Sequence, residues 1–163
     1  MKLGFLHELW KRILQAKIQF LASIILGLIS VALGIIAWTA FGSDEFARLN
    51  LLAIVAIIGL IGLLVPVWVG FDLRKKGASF WYAAIVGATV SGVAGTLIGA
   101  LNLLIIAPLA PAFSQPFGPS ALAFGAFSTG FGFEGFLIGR TVASIAGALL
   151  ALLGALLSNF SKK

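Results

Sequence analysis

The chain has 163 residues, of which 61% are hydrophobic and only 10% charged, with a mean hydropathy of +1.14. So few charges cannot coat a soluble domain of this length, so the composition excludes an ordinary water-exposed globule and points to lipid as the solvent of the outer face. The formal net charge of +6 does not signal a nucleic-acid partner, because nine of the eleven Lys and Arg sit in three short segments flanking apolar runs, as the positive-inside rule predicts.

Residues 1–17 read as an amphipathic helix. Leu6, Leu9, Trp10, Ile13 and Leu14 follow the spacing of one apolar face, and Lys2, His7, Glu8, Lys11, Arg12 and Gln15 fill the remainder. Glu8 and Arg12 stand at i, i+4, the spacing of a helical ion pair. Trp10 and the basic residues suit the headgroup region, so this helix is expected to lie along the membrane surface, with docking onto a partner protein as the alternative. The apolar run Ile18–Phe41 exceeds the length of a signal-peptide core and reads as the first span, with Trp38 as an aromatic anchor near its far end.

A link over Gly42–Asn50 carries Asp44, Glu45 and Arg48. The second span follows at Leu49–Phe71, with Pro66 inside it removing one backbone donor. Arg74, Lys75 and Lys76 occupy the next link, and Phe80, Trp81 and Tyr82 form an interfacial aromatic cluster directly after it. The third span runs from there through residues 79–107. Residues 108–133 hold four of the five prolines and two Phe/Gly runs without a single charge, which predicts an outer loop lying in the interface or re-entering the membrane. The last span covers 135–157, and residues 158–163 form a basic tail. The fold class is therefore an all-α integral membrane protein in one domain, 1–163, with four transmembrane helices (about 18–41, 49–71, 79–107 and 135–157) and an N-terminal amphipathic interfacial helix. With four spans, the three basic segments share one side. That side is expected to be cytoplasmic, giving N-in, C-in topology in a membrane of prokaryotic cytoplasmic type.

Two ladders of small residues dominate the second half. One comprises Ala83, Gly87, Ser91, Gly95 and Gly99; the other comprises Gly135, Gly139, Ala143, Gly147, Ala151 and Ala155. Small residues at i, i+4, the GxxxG or glycine-zipper spacing, let helix backbones approach closely. A four-residue period advances about 40° beyond a full turn at each step, so the stripe winds by roughly 120° over Gly87–Gly99 and by roughly 200° over Gly135–Ala155. Two outcomes fit this winding: right-handed crossings, or a last span whose halves face different partners. Spans three and four are expected to form the intramolecular core. Spans one and two, with sparser small residues (Ser23, Gly27, Ser30, Gly34; Gly59, Gly62), are expected to pack more loosely.

Candidate chemistry is thin. Glu134 and Arg140 are the charges in or beside the last span, and with Asn102 near the outer end of the third they make a candidate intramembrane polar cluster. They differ by about 120° in helical direction, so they are not an i, i+4 pair. His7 is the sole histidine and no cysteine is present, so no metal-ligand set of ordinary spacing exists and Ser91 has no histidine base in any later span. No cofactor is expected, and no catalytic activity. The sequence favours a non-catalytic accessory or assembly subunit of a larger membrane complex, packing through small-residue faces. Its expected partners are the lipid bilayer and other membrane subunits, or further copies of itself. A small homo-oligomeric transporter or channel using Glu134 and Arg140 is the alternative, and a holin-like pore former the third.

Overall fold

A computed structural model describes residues 2–40, 44–101 and 132–160. Every element in it is helical: α1 (Lys2–Gln15), α2 (Lys17–Thr39), α3 (Glu45–Lys75), α4 (Phe80–Leu101) and α5 (Gly132–Phe160). Four of them, α2 to α5, are long and apolar enough to cross a membrane. Asn102 and residues 108–131 of the expected outer loop lie outside the described residues, as do Phe41 at the end of the first expected span and Ser161–Lys163 of the tail.

The helix boundaries differ from the expected spans in instructive ways. The chain breaks at Ala16, which is fully buried and leaves helical geometry with ψ near 13°, so α1 and α2 meet at a sharp elbow. Helix α3 starts four residues before its expected span because Asp44 caps it, accepting a hydrogen bond from the Ala47 amide at 3.0 Å. It then runs through the buried Pro66 to Lys75. Helix α5 begins at Gly132 rather than 135 and continues past 157 through Ser158, which is fully buried. In apolar surroundings the hydroxyls of these helices turn back on their own backbone. Ser30, Thr39, Thr89 and Thr141 each donate to the carbonyl four residues earlier at 2.8–3.0 Å.

The α3–α4 turn is fixed by its own chemistry. Gly77 takes φ +78°, the Ala78 amide donates to the Leu73 carbonyl at 2.9 Å, and the Gly77 amide donates to Arg74 at 3.1 Å. This is the left-handed glycine cap of a helix C-terminus, sealed by an apolar contact between buried Leu73 and buried Ala78. Two arginines then cap the turn's carbonyls: Arg74 Nη1 donates to Ala78 at 3.1 Å, and Arg12 Nη1 reaches from α1 to Lys76 at 3.2 Å.

The long helices pack with α5 against both α4 and α3, and with α2 against α3 and α4. The expectation that spans three and four alone make the core, with span two loosely attached, needs correction, because the contact of α3 with α5 nearly matches that of α4 with α5. A cluster of Ala16, Val69, Leu73, Ala78, Val86 and Val90 fills the basic end of the bundle, with Leu9 and Ile13 of α1 packed onto it. Replacing Gly77 by alanine places a β-carbon in a left-handed conformation and is expected to cost about 1–2 kcal/mol. Thermal unfolding of the detergent-solubilised variant measures that loss, and an unchanged midpoint would show that the cap is dispensable.

Candidate functional site

Two regions gather the residues singled out by the sequence: the seam where α5 meets α4 and α3, and the basic end of the bundle. In the seam the two ladders run antiparallel and meet step for step. A β-carbon on Gly87 would strike the Ala151 methyl and lie 2.7 Å from the Gly147 carbonyl oxygen; one on Gly147 would strike the Ser91 hydroxyl and lie 2.8 Å from the Gly87 carbonyl oxygen. One on Gly95 would touch the Ala143 methyl at 3.7 Å. Each step of four residues along α4 is thus matched by a step of four in the opposite sense along α5, and the two backbones touch at Gly87 and Gly147. Continuing that register puts Ala83, fully buried, opposite Ala155, also fully buried, and buried Gly99 opposite half-buried Gly139. Ser144 fills the space beside Gly92 one position off the ladder.

Near its start, at the end of the bundle away from the basic segments, α5 carries Glu134 and Gly135 in its first turn, and the half-buried Arg140 two turns on. Asn102 and the Glu134 side chain lie outside the described residues, so the expected Asn102, Glu134, Arg140 cluster is represented by Arg140 alone, which has an interaction partner.

Sequence reasoning missed the second half of the seam. A β-carbon on Gly70 of α3 would overlap the Ala151 carbonyl, and one on Gly154 would overlap the Val67 carbonyl and lie 3.0 Å from the Phe71 amide nitrogen. Neither glycine belongs to a four-residue ladder. The available signal was the spacing of Gly147 and Gly154, because seven residues return to nearly the same helix face while four do not. That face meets α4 at Gly147 and α3 at Gly154, and Ala151 between them touches both.

The basic end brings together the N-terminal basic segment, the basic end of α3 and the last turn of α5. Arg12 of α1 bonds the Lys76 carbonyl, Arg74 Nε donates to Asn159 Oδ1 of α5 at 3.4 Å, and the Phe5 and Tyr82 rings stack at 5.8 Å. Glu8 and Arg12 form the expected ion pair at 2.8 Å. Gln19, only 3% exposed, donates from Nε2 to Asp72 Oδ2 at 3.1 Å, and the same oxygen holds Lys76 Nζ at 2.7 Å. The network thus ties the α1–α2 elbow to the last turn of α3. His7 stands exposed at its edge. Among the described residues no three His, Cys, Asp or Glu side chains converge on a possible metal position.

The seam generates two expectations. Gly147→Leu drives a large side chain into the Gly87 backbone and is expected to cost about 1–3 kcal/mol as overpacking, whereas Gly62→Ala, which meets nothing within 4 Å, is neutral or gains helix propensity. Unfolding midpoints of the two variants compare them directly. Because the chain has no cysteine, Ala83→Cys with Ala155→Cys reports the register in a clean background, and oxidation is expected to cross-link that pair. Failure to cross-link would break the stepwise pairing.

The chain matches no family model, no curated protein and no solved structure. Its function is therefore argued from its own geometry.

Proposed function

We propose that the chain is a non-catalytic integral membrane subunit, an accessory or assembly component of a larger complex. Four apolar helices present Ile18, Leu21, Ile25, Leu60, Leu64, Leu149, Leu153 and similar side chains outward. An apolar exterior of this extent is an aggregation surface in water and an ordinary one in hydrocarbon. Helix α1 joins this picture as an interfacial element. Leu9 and Ile13 pack on the bundle while Leu6, Trp10 and Leu14 remain exposed, so the apolar face is shared between the protein and the acyl boundary. The end carrying Arg12, Arg74, Lys75 and Lys76 faces the cytoplasm, with both termini on that side.

The observation that carries the reading is the closure of the seam. The α4–α5 and α3–α5 interfaces reach backbone contact at Gly87, Gly147, Gly70 and Gly154, leaving no room between those helices for a solute. A path between α5 and its neighbours α3 and α4 would have to part these backbone contacts. On this reading the ladders serve folding, and a partner subunit meets the outer apolar faces of α2, α3 and α5 rather than the small-residue stripes. The alternative, a homo-oligomeric transporter, would place its path away from these two interfaces.

A tagged pull-down at native expression in mild detergent, read by native mass spectrometry, is expected to return reproducible heterologous membrane partners. A single species at an integer multiple of 17.0 kDa would instead move the homo-oligomeric transporter ahead. Topology has an independent check in the cysteine-free chain. A membrane-impermeant maleimide applied to intact cells is expected to label Ser43→Cys and spare Ser161→Cys, and the reverse pattern would invert the orientation.

A further inference from the structure

The basic end holds more positive charge than its own carboxylates neutralise. Six cations gather there with described side chains: Lys11, Arg12, Lys17, Arg74, Lys75 and Lys76. Two carboxylates face them, and each is taken: Glu8 by Arg12 and Asp72 by Lys76. Lys11, Lys17, Arg74 and Lys75 have no carboxylate partner among the described residues. The Arg74 guanidinium lies 4.4 Å over the Phe80 ring and the Lys75 ammonium 4.4 Å over the Phe71 ring, so aromatic faces hold these charged groups without neutralising them.

These charges stand where the apolar exterior stops. Exposed apolar side chains occur on both sides of the Ala16 break: Leu6, Trp10 and Leu14 on α1, and Ile18, Leu21 and Ile25 on α2. Trp81, 79% exposed at the start of α4, and Phe160, 76% exposed at the end of α5, lie at the same end of the bundle. Amphipathic aromatic rings and long basic side chains at the rim of an apolar surface mark headgroup depth. Segments far apart in sequence thus supply one unneutralised basic rim around a hydrocarbon-facing body.

We propose that this rim selects anionic phospholipid headgroups in the leaflet it faces, with Lys11, Lys17, Arg74 and Lys75 supplying the attraction. The inference rests on the membrane reading above and adds the chemical class of the lipid. Each cation near an anionic surface is worth roughly a fivefold gain in local binding, and the attraction falls within a Debye length, so salt weakens it.

The test uses tryptophan quenching in bilayers. Trp38→Phe and Trp68→Phe leave Trp10 and Trp81, both exposed at the basic rim, as reporters. This protein is reconstituted in phosphatidylcholine containing either brominated phosphatidylglycerol or brominated phosphatidylcholine, and the quenching ratio gives the relative occupancy of the two headgroups. The expected result is an enrichment of phosphatidylglycerol of about fivefold at low salt. It is expected to collapse toward unity in 1 M salt and in the Lys11→Gln, Lys17→Gln, Lys75→Gln variant, and to survive Arg48→Gln at the opposite end of α3. Equal quenching by the two brominated lipids would overturn the proposal while leaving the membrane reading intact. Quenching by neither would overturn both.

Discussion

The structure depends on one crowded point, the place where Ala151 of α5 meets two glycines at once. Its methyl group occupies the space a side chain on Gly87 would need, and its carbonyl occupies the space a side chain on Gly70 would need. The three helices α3, α4 and α5 approach as closely as they do because side chains are missing at these positions. Where lipid is the surrounding solvent, burying apolar side chains against one another gains little over burying them in acyl chains, so association rests on dispersion between closely fitted surfaces and on backbone contacts that small residues permit. Gly87 and Gly147 illustrate this economy, since each presents its α-carbon to the other's carbonyl.

From that point the bundle is organised in two directions. Toward the basic end the seam passes to α3 through Gly154, and the polar residues begin. Asp72, one turn before the α3 C-terminus, accepts from both Gln19 and Lys76, while Arg12 closes the Lys76 carbonyl left open where α3 ends. These contacts let a chain with few polar residues satisfy the turn that most needs them. They also explain the position of α1, which is held by Arg12 on one side and by Leu9 and Ile13 on the other. In the opposite direction the α4–α5 pairing continues through Gly95 and Ala143 toward Gly99.

Much of this was legible in the residues, for reasons that can be named. Four apolar runs, the first three separated by charged links and the last two by a proline-rich segment, give four long helices, because length and hydropathy are properties of the chain itself. The meeting of the N-terminal basic segment with the basic end of α3 follows from counting spans, and direct contacts join these to each other and to the end of α5: Arg12 to Lys76 and Arg74 to Asn159. The facing of Gly87, Ser91 and Gly95 with Ala151, Gly147 and Ala143 was half legible. Both stripes were visible, and their relative register was not, because register is a property of two helices and a periodicity is a property of one. Gly70 and Gly154 were not legible as a pair for the same reason. A lone glycine in an apolar run carries no sign of what approaches it, as Gly62 and Gly34 show by facing open space.

The division between spent and unspent small residues constrains how such a chain can work with others. A glycine stripe can unite two proteins only if it is free when they meet. Gly87 and Gly147 are already in contact with each other, and Gly70 and Gly154 are filled by neighbouring backbone. What remains outward is a surface of branched aliphatic side chains on α2, α3 and α5, with an aromatic and basic rim at one end. Side chains such as Leu60, Leu64, Leu149 and Leu153 give broad, adaptable contact with either acyl chains or another apolar helix. On the proposed reading, selectivity comes from the rim, where the charges are. A closely packed three-helix interior and an apolar outer face fit the proposed role of a subunit surrounded by lipid or by neighbours.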